Sequence, residues 1–373
     1  MTTRRHVLSL LAASPLAGCG GGPEIDPAEG WRDPGAGETD PRRFALAHAV
    51  LAPNPHNTQP WLVTLDGDDG LILHCDLERR LDFTDPLDRQ ITIGCGAFLE
   101  LYRIAARQLG RAAQVTFFPE GAPTPRLDAR PVAYVRFAPQ INAAPDPLYP
   151  YVTARRTNRK EYEERVPDDV DLLRVNSAVG GFLGAAAFTV DPARVAALRD
   201  LVWRGFEREL QTAGAQEETY HWLRFGENEV ARQRDGLPLS GPMIPLLKAA
   251  GFLDREDFLN PDSIANQTAA SDWRKKAETA QAFMWLTTAD DTPATRLSTG
   301  MAYARLNLAA TAHGFAMHPW SQALQEYEAM ADLYAEAKRL LDAETKTVQM
   351  LVRVGYAEAE PPSPRRALSA FVT

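Results

Sequence analysis

Gly96-Ala97-Phe98-Leu99-Glu100-Leu101-Tyr102-Arg103-Ile104-Ala105-Ala106-Arg107-Gln108-Leu109-Gly110 returns as Gly300-Met301-Ala302-Tyr303-Ala304-Arg305-Leu306-Asn307-Leu308-Ala309-Ala310-Thr311-Ala312-His313-Gly314, at a constant offset of 204 residues, from position 96 to position 300. Each copy opens on glycine and carries an apolar face through an Ala-Ala pair at helical spacing. Each closes on a glycine, and an apolar stretch that reads as extended follows. A second echo lies outside the first. Arg42-Arg43-Phe44 opens one leading helix, and Arg155-Arg156-Thr157-Asn158-Arg159 opens another. Two copies of one unit in chain order predict two related α+β halves.

Working outward, the first half covers residues 41–150 and reads as helix 42–51, strands 61–65 and 71–76, helix 91–109, and strands 114–118 and 131–137. The second covers 151–373. It reads as a helix starting at Arg155, strand 187–190, helix 192–211, strand 282–287, the helix that Gly300 belongs to, helix 334–345 and strand 348–355. An insertion at 212–280 carries Trp222, Phe225, Phe252, Phe258 and Trp273 among polar residues. An insertion of that length reads either as a lid or pocket wall, or as a helical satellite on the core.

At 373 residues the chain has length for two units. Its net charge of -9 argues against general nucleic-acid binding, which needs a dominant basic face. Residues 1–19 resemble a twin-arginine export signal with a lipoprotein box. Arg4-Arg5 precedes a short apolar run over 7–16 that ends in Leu16-Ala17-Gly18-Cys19. The resemblance makes Cys19 the lipidated residue and residues 20–40 a flexible tether, with the protein anchored by lipid at the periplasmic side of the cell envelope. That export route also favours proteins loaded with a cofactor before crossing. Cys75 and Cys95 read as buried thiols, with a disulfide between them as the alternative. No Cys or His spacing assembles a metal site. His313 and His318 read as structural.

Ala52-Pro53-Asn54-Pro55-His56-Asn57-Thr58-Gln59-Pro60-Trp61 crowds amides and an imidazole between prolines. Proline fixes its own φ and pushes the preceding residue toward extended geometry, so Asn54, His56, Asn57 and Gln59 are presented on a loop. A carboxamide offers both an acceptor and a donor, which the pyrimidine edge of a flavin or a base requires. The alternative is a plain proline-punctuated loop entering a strand. Arg155, Arg156, Arg159 and Lys160 cluster at the expected helix start, where backbone N–H groups favour phosphate. Pro361-Pro362-Ser363-Pro364-Arg365-Arg366 makes a stiff arm ending in two arginines, whose forks fit phosphate oxygens.

In that order, the Pro53 to Trp61 run, the Arg155-Arg156-Thr157-Asn158-Arg159 box and the closing arm from Arg353-Val354-Gly355-Tyr356 to Arg365-Arg366 resemble the nitroreductase family, and within it the Acg-like branch. The likeness spans most of residues 40–373. It implies a nitroreductase-like α+β fold whose fused halves mimic the family's FMN-binding dimer, so that one monomer forms an intramolecular pseudo-dimer. It places Asn57 and Gln59, with Asn54 and His56 on the same loop, near the isoalloxazine. Arg155, Arg156, Thr157, Arg159, Arg365 and Arg366 fall toward the ribityl-phosphate. A second site would pair Arg42-Arg43 with an amide loop after Arg159. Residues 160–171 hold no Asn-x-Gln-Pro-Trp, so one site is expected.

The chemistry implied belongs to the flavin, with no side-chain nucleophile. The chain has no Gly-x-Ser-x-Gly elbow, no phosphate loop and no GxGxxG after a strand. Electrons would pass from NAD(P)H or a quinol to a nitroaromatic, a quinone or a similar acceptor. The competing expectation is a non-catalytic protein that sequesters FMN beneath the insertion.

Overall fold

The two copies of the echoed unit form the central helices, and they cross where their leading glycines meet. In the computed structural model, which describes residues 25–138, 144–241, 244 and 255–373, the first is α2 (Arg89–Gln108), preceded by α1 (Pro41–Ala49). The second is α8 (Pro293–Ala312). Between them in sequence lie α3 (Asp169–Ser177), α4 (Pro192–Gln211), α5 (Ala213–Trp222), α6 (Glu227–Gln233) and α7 (Ile264–Glu278). The last helix is α9 (Ala331–Leu340). A Cβ on Gly96 would stand 2.1 Å from the Leu297 carbonyl oxygen, and one on Gly300 would stand 1.9 Å from that of Ile93. The pairs 96 with 297 and 300 with 93 are one contact read in both directions at the 204-residue offset. This is the signature of a two-fold interface.

The two sheets repeat one topology. The first orders β1 (Trp61–Asp66), β2 (Gly70–Cys75), β4 (Ala133–Phe137) and β3 (Ala113–Phe117). The second orders β5 (Ala185–Thr189), β8 (Ala282–Thr288), β10 (Thr347–Gly355) and β9 (Ala316–Pro319), while β6 (Leu223–Phe225) and β7 (Leu237–Leu239) form a separate short parallel pair within the insertion. Both run first, second, fourth, third with every neighbour antiparallel, and in each the central helix follows the second strand. The fold is therefore α+β with two related halves. The C-terminal residues cross over: Val63 N donates to Phe371 O at 2.7 Å, and Thr373 N to Val63 O at 2.9 Å, extending the first sheet with the tail of the second half.

Local chemistry explains the boundaries. The Asp40 carboxylate accepts from Arg42 N, and Pro41 takes the first turn of α1. Thr292 and Pro293 repeat the device for α8. β8 is buried throughout because Ala282, Met284 and Leu286 join the central core. Phe283 and Trp285 join a second core with α4 and α9.

Three expectations need correction. Residues 155–160 are not helical. A 3-10 turn, Tyr149–Tyr151, closes with Arg155 N on Tyr151 O, and the chain then runs extended beside β9, with Asn158 N on Met317 O at 3.0 Å. Pairing with a sheet edge wins over helix formation, so the second half's leading helix is α3. The tether expected over 20–40 is folded from residue 25 onward and buries Trp31. The helix expected at 334–345 sits earlier, as α9. Cys75 and Cys95 are free and buried, and burial pushes the Cys95 thiol up to about 12. Residues 1–24, including Cys19, and Phe252 lie outside the described residues.

Candidate functional site

The loop at 54–59 is wound through conformations that side chains avoid. His56, Asn57 and Gln59 have φ of 48°, 53° and 52°, left-handed values that cost of order 1 kcal/mol or more apiece and cluster where the surroundings over-determine them. Asn54 supplies part of the constraint: its Nδ2 donates to Ala52 O at 3.1 Å and its Oδ1 accepts from Gln59 N at 2.8 Å. Close seating on α2 needs a glycine beneath, since a Cβ on Gly94 would lie 3.2 Å from the Asn54 Cβ.

The carboxamides of Asn57 and Gln59 are committed to the protein itself. Asn57 Nδ2 donates to Pro364 O at 3.1 Å and its Oδ1 accepts from Arg365 Nη1 at 2.6 Å. Gln59 Nε2 donates to Arg234 O at 2.9 Å, and its Oε1 accepts from Arg366 N at 3.0 Å. Instead of offering free edges to a heterocycle, the two amides clamp the C-terminal arm. Arg365 is spent in the same way. Its Nε reaches Val50 O, its Nη2 reaches Leu51 O and Ala52 O, and its Nη1 reaches Asn57, Ser363 and Pro364. It caps the chain leaving α1, and no guanidinium N–H remains for a phosphate. Arg366 is half-buried, with Nη2 on Ala370 O at 3.0 Å and its guanidinium over the Phe371 ring.

Arg155 differs. It is 2% exposed and donates one bond, from Nη2 to Leu51 O at 3.0 Å, while its Nε and Nη1 are buried with no partner among the described residues. An unmet buried charged donor is costly, so this edge is built for an anion. Arg156 turns back on Thr153 O and Arg155 O, both at 2.7 Å. The Arg159 backbone N donates to Glu360 Oε1 at 3.2 Å, and burial lowers its guanidinium while the Glu360 charge opposes the shift. Thr157 is half-buried between them.

The charges of these groups act on one another. Burial lowers Arg155 to about 10; Tyr303 opposes the shift, and Arg156 and Arg159 add to it. Desolvation drops the His56 imidazole to about 4, with the Arg159 charge contributing, and its Nε2 lies 3.3 Å from Thr219 Oγ1. Burial pushes the Tyr303 hydroxyl up to about 12 while Arg155 pulls it down. That hydroxyl accepts from Asn307 Nδ2 at 2.9 Å, and Asn307 Oδ1 is left unpartnered. A neutral imidazole, a protonated phenol and the open guanidinium edge of Arg155 are a set of donors suited to an anion. Its donor set fits a phosphate.

The sequence reading missed Tyr303, Asn307, Thr219 and Trp31. Tyr303 carried a signal: its counterpart 204 residues earlier is Leu99, so a polar group appears there in one copy only. The other end of the pseudo-dimer shows why. There Arg305 Nε caps Ala178 O at 2.9 Å, and its Nη1 meets Glu100 and Asp146, both at 3.0 Å. Two carboxylates meet that arginine there, where Arg155 meets none.

The insertion belongs to the second half yet covers the first half's loop. Glu218 on α5 accepts from Phe83 N and Thr84 N, both at 2.9 Å. Asp235 pairs with Arg79 at 2.8 Å, and Gly236 N donates to Asn57 O at 3.1 Å. It forms a wall over residues 54–59.

No family model matches the chain. Among curated proteins it is similar to acg of Mycobacterium tuberculosis, whose name, NAD(P)H nitroreductase, is a provisional designation. The two are 28% identical over 345 residues, which is 88% of this chain and 94% of that protein. A second M. tuberculosis protein with the same designation is 28% identical over 345 residues and 90% covered. Solved structures align less closely. The FMN-dependent nitroreductase NfnB of Mycobacterium smegmatis, in complex with NADPH, has TM-score 0.37 and 19% identity, covering 59% of this chain and 94% of that one. Iodotyrosine deiodinase bound to FMN and 3-iodo-L-tyrosine has TM-score 0.36 and 16% identity, covering 59% and 95%. At such scores the structural likeness carries no argument.

Proposed function

We propose that this chain is an FMN-binding oxidoreductase of the nitroreductase type, with one flavin site between its fused halves. The observation that carries the reading is the buried, unpartnered edge of Arg155 beside Arg159, His56 and Tyr303. The similarity to the two mycobacterial proteins along nearly their whole length supports it. Bound FMN would supply two-electron transfer from NAD(P)H, or from a quinol, to a nitroaromatic, quinone or similar acceptor. The protein's part is binding and orientation. Arg155 and Arg159 would hold the phosphate, and Tyr303 adds a hydroxyl that stays protonated. His56, neutral at physiological pH, adds no charge to the flavin's surroundings. Asn57 and Gln59 would act by fixing the strained loop and the arm.

One observation favours a second reading, in which the protein sequesters FMN without turnover. The insertion seals the loop through Thr219, Arg234 and Gly236, so a substrate needs it to move. A visible spectrum of protein lacking residues 1–19, followed by anaerobic NADPH, separates the two. A flavin spectrum that bleaches supports a reductase. One that yields only to dithionite supports sequestration or a quinol donor, and no flavin after incubation with FMN refutes both readings.

Export and lipid anchoring at Cys19 belong to the same proposal, supported by Arg4-Arg5 and the Leu16-Ala17-Gly18-Cys19 box. Labelled palmitate should enter the full chain and not the Cys19→Ala variant; equal labelling would remove the anchor.

A further inference from the structure

The segment that reads as a tether crosses the arginine cluster. Trp31 is 4% exposed, and its ring centroid lies 5.4 Å from the guanidinium carbon of Arg155, 4.6 Å from that of Arg156 and 5.0 Å from that of Arg365. Its Nε1–H donates to Ser363 O at 2.9 Å. Two flanking contacts pin the segment: Arg365 N donates to Pro27 O at 2.9 Å, and Glu29 faces Arg234 of the insertion at 3.6 Å. One short stretch thus touches the arginine box, the C-terminal arm and the insertion together.

Three guanidinium groups around one indole repel each other, and the negative face of the ring offsets that repulsion. Stacking uses the flat face of a guanidinium, whereas an oxyanion uses its N–H edge. Trp31 therefore holds the cluster without occupying the donors that Arg155 leaves open.

We infer that Trp31 is a cofactor-retention residue: residues 26–31 close over the Arg155 pocket and slow the escape of the phosphate-bearing ligand held there. The inference rests on reading that pocket as the FMN phosphate site, and it assigns the retention to the N-terminal segment instead of the insertion alone. No chemical step is involved. The role is mechanical and electrostatic, so it is read in a dissociation rate.

The test loads FMN into the full chain, Trp31→Ala and Trp31→Phe, then follows flavin retained after rapid desalting over time. Release from Trp31→Ala should be roughly tenfold faster or more, with Trp31→Phe between the two, because phenylalanine keeps a face and loses the N–H. A further form guards against a variant that fails to fold: a protease site placed at the exposed turn Ala36-Gly37 and cut after loading. Cutting should accelerate release as the Ala variant does. Equal release rates for cut and uncut protein would overturn the role of the segment while leaving the flavin site standing. A full chain that takes up no FMN would overturn the reading beneath it.

Discussion

Arg155 and Arg365 look alike in sequence and are opposites in the structure. Arg365 has every guanidinium donor filled by the protein, so Arg365→Ala should lower the melting temperature sharply, by exposing the unmet carbonyls of Val50, Leu51 and Ala52. Arg155→Ala should instead weaken FMN binding by roughly 1.5–3 kcal/mol, the range for a hydrogen bond to a charged group, with less effect on the melting temperature. Titration calorimetry and thermal unfolding separate the pair; loss of stability in both with binding intact would contradict the assignment. His56 gives a pH prediction. Its folded value of about 4 lies below its ordinary 6.5, so the unfolded state binds more protons between them. Its contribution to stability is present above pH 6.5 and is lost as pH falls toward 4. Proton NMR should show no His56 titration between pH 5 and 8; a midpoint near 6.5 would refute the packed, neutral imidazole. Trp31 was illegible because its role exists only in tertiary contact. Tyr303 was legible in principle, as a polar residue set against Leu99 in the echo.

Helices α2 and α8 were readable because the echo fixed their register, caps and glycines at once. The extended arginine box was not, since its conformation is decided by β9, a strand some 160 residues later in the chain. Local propensity cannot see such a partner. The crossing of α2 and α8 carries its own prediction. Gly96→Ala and Gly300→Ala each place a methyl about 2 Å from a backbone carbonyl, which no rotamer relieves. Each should destabilise by several kcal/mol, beyond ordinary overpacking, because two helix backbones must separate. Denaturant unfolding checks this. A loss under about 0.5 kcal/mol, typical of a surface change, would mean that the helices do not meet there.

Across the whole molecule, one topology appears twice, and the proposal assigns it one site. The repeated strand order and the reciprocal glycine contact were foreshadowed by the 204-residue echo. The single amide loop is what makes one site, not two, the expectation. What the sequence left open was the division of labour, with amides that hold an arm and a tether that roofs a pocket. The measurement that bears most directly on this account is the flavin stoichiometry at saturation, read by absorbance against protein concentration, for the full chain and for Arg155→Ala. One FMN per chain, with occupancy lost in the variant at the same flavin concentration, is the expected result. No bound flavin, two per chain, or one that the variant holds equally well would contradict a single site built on the open edge of Arg155.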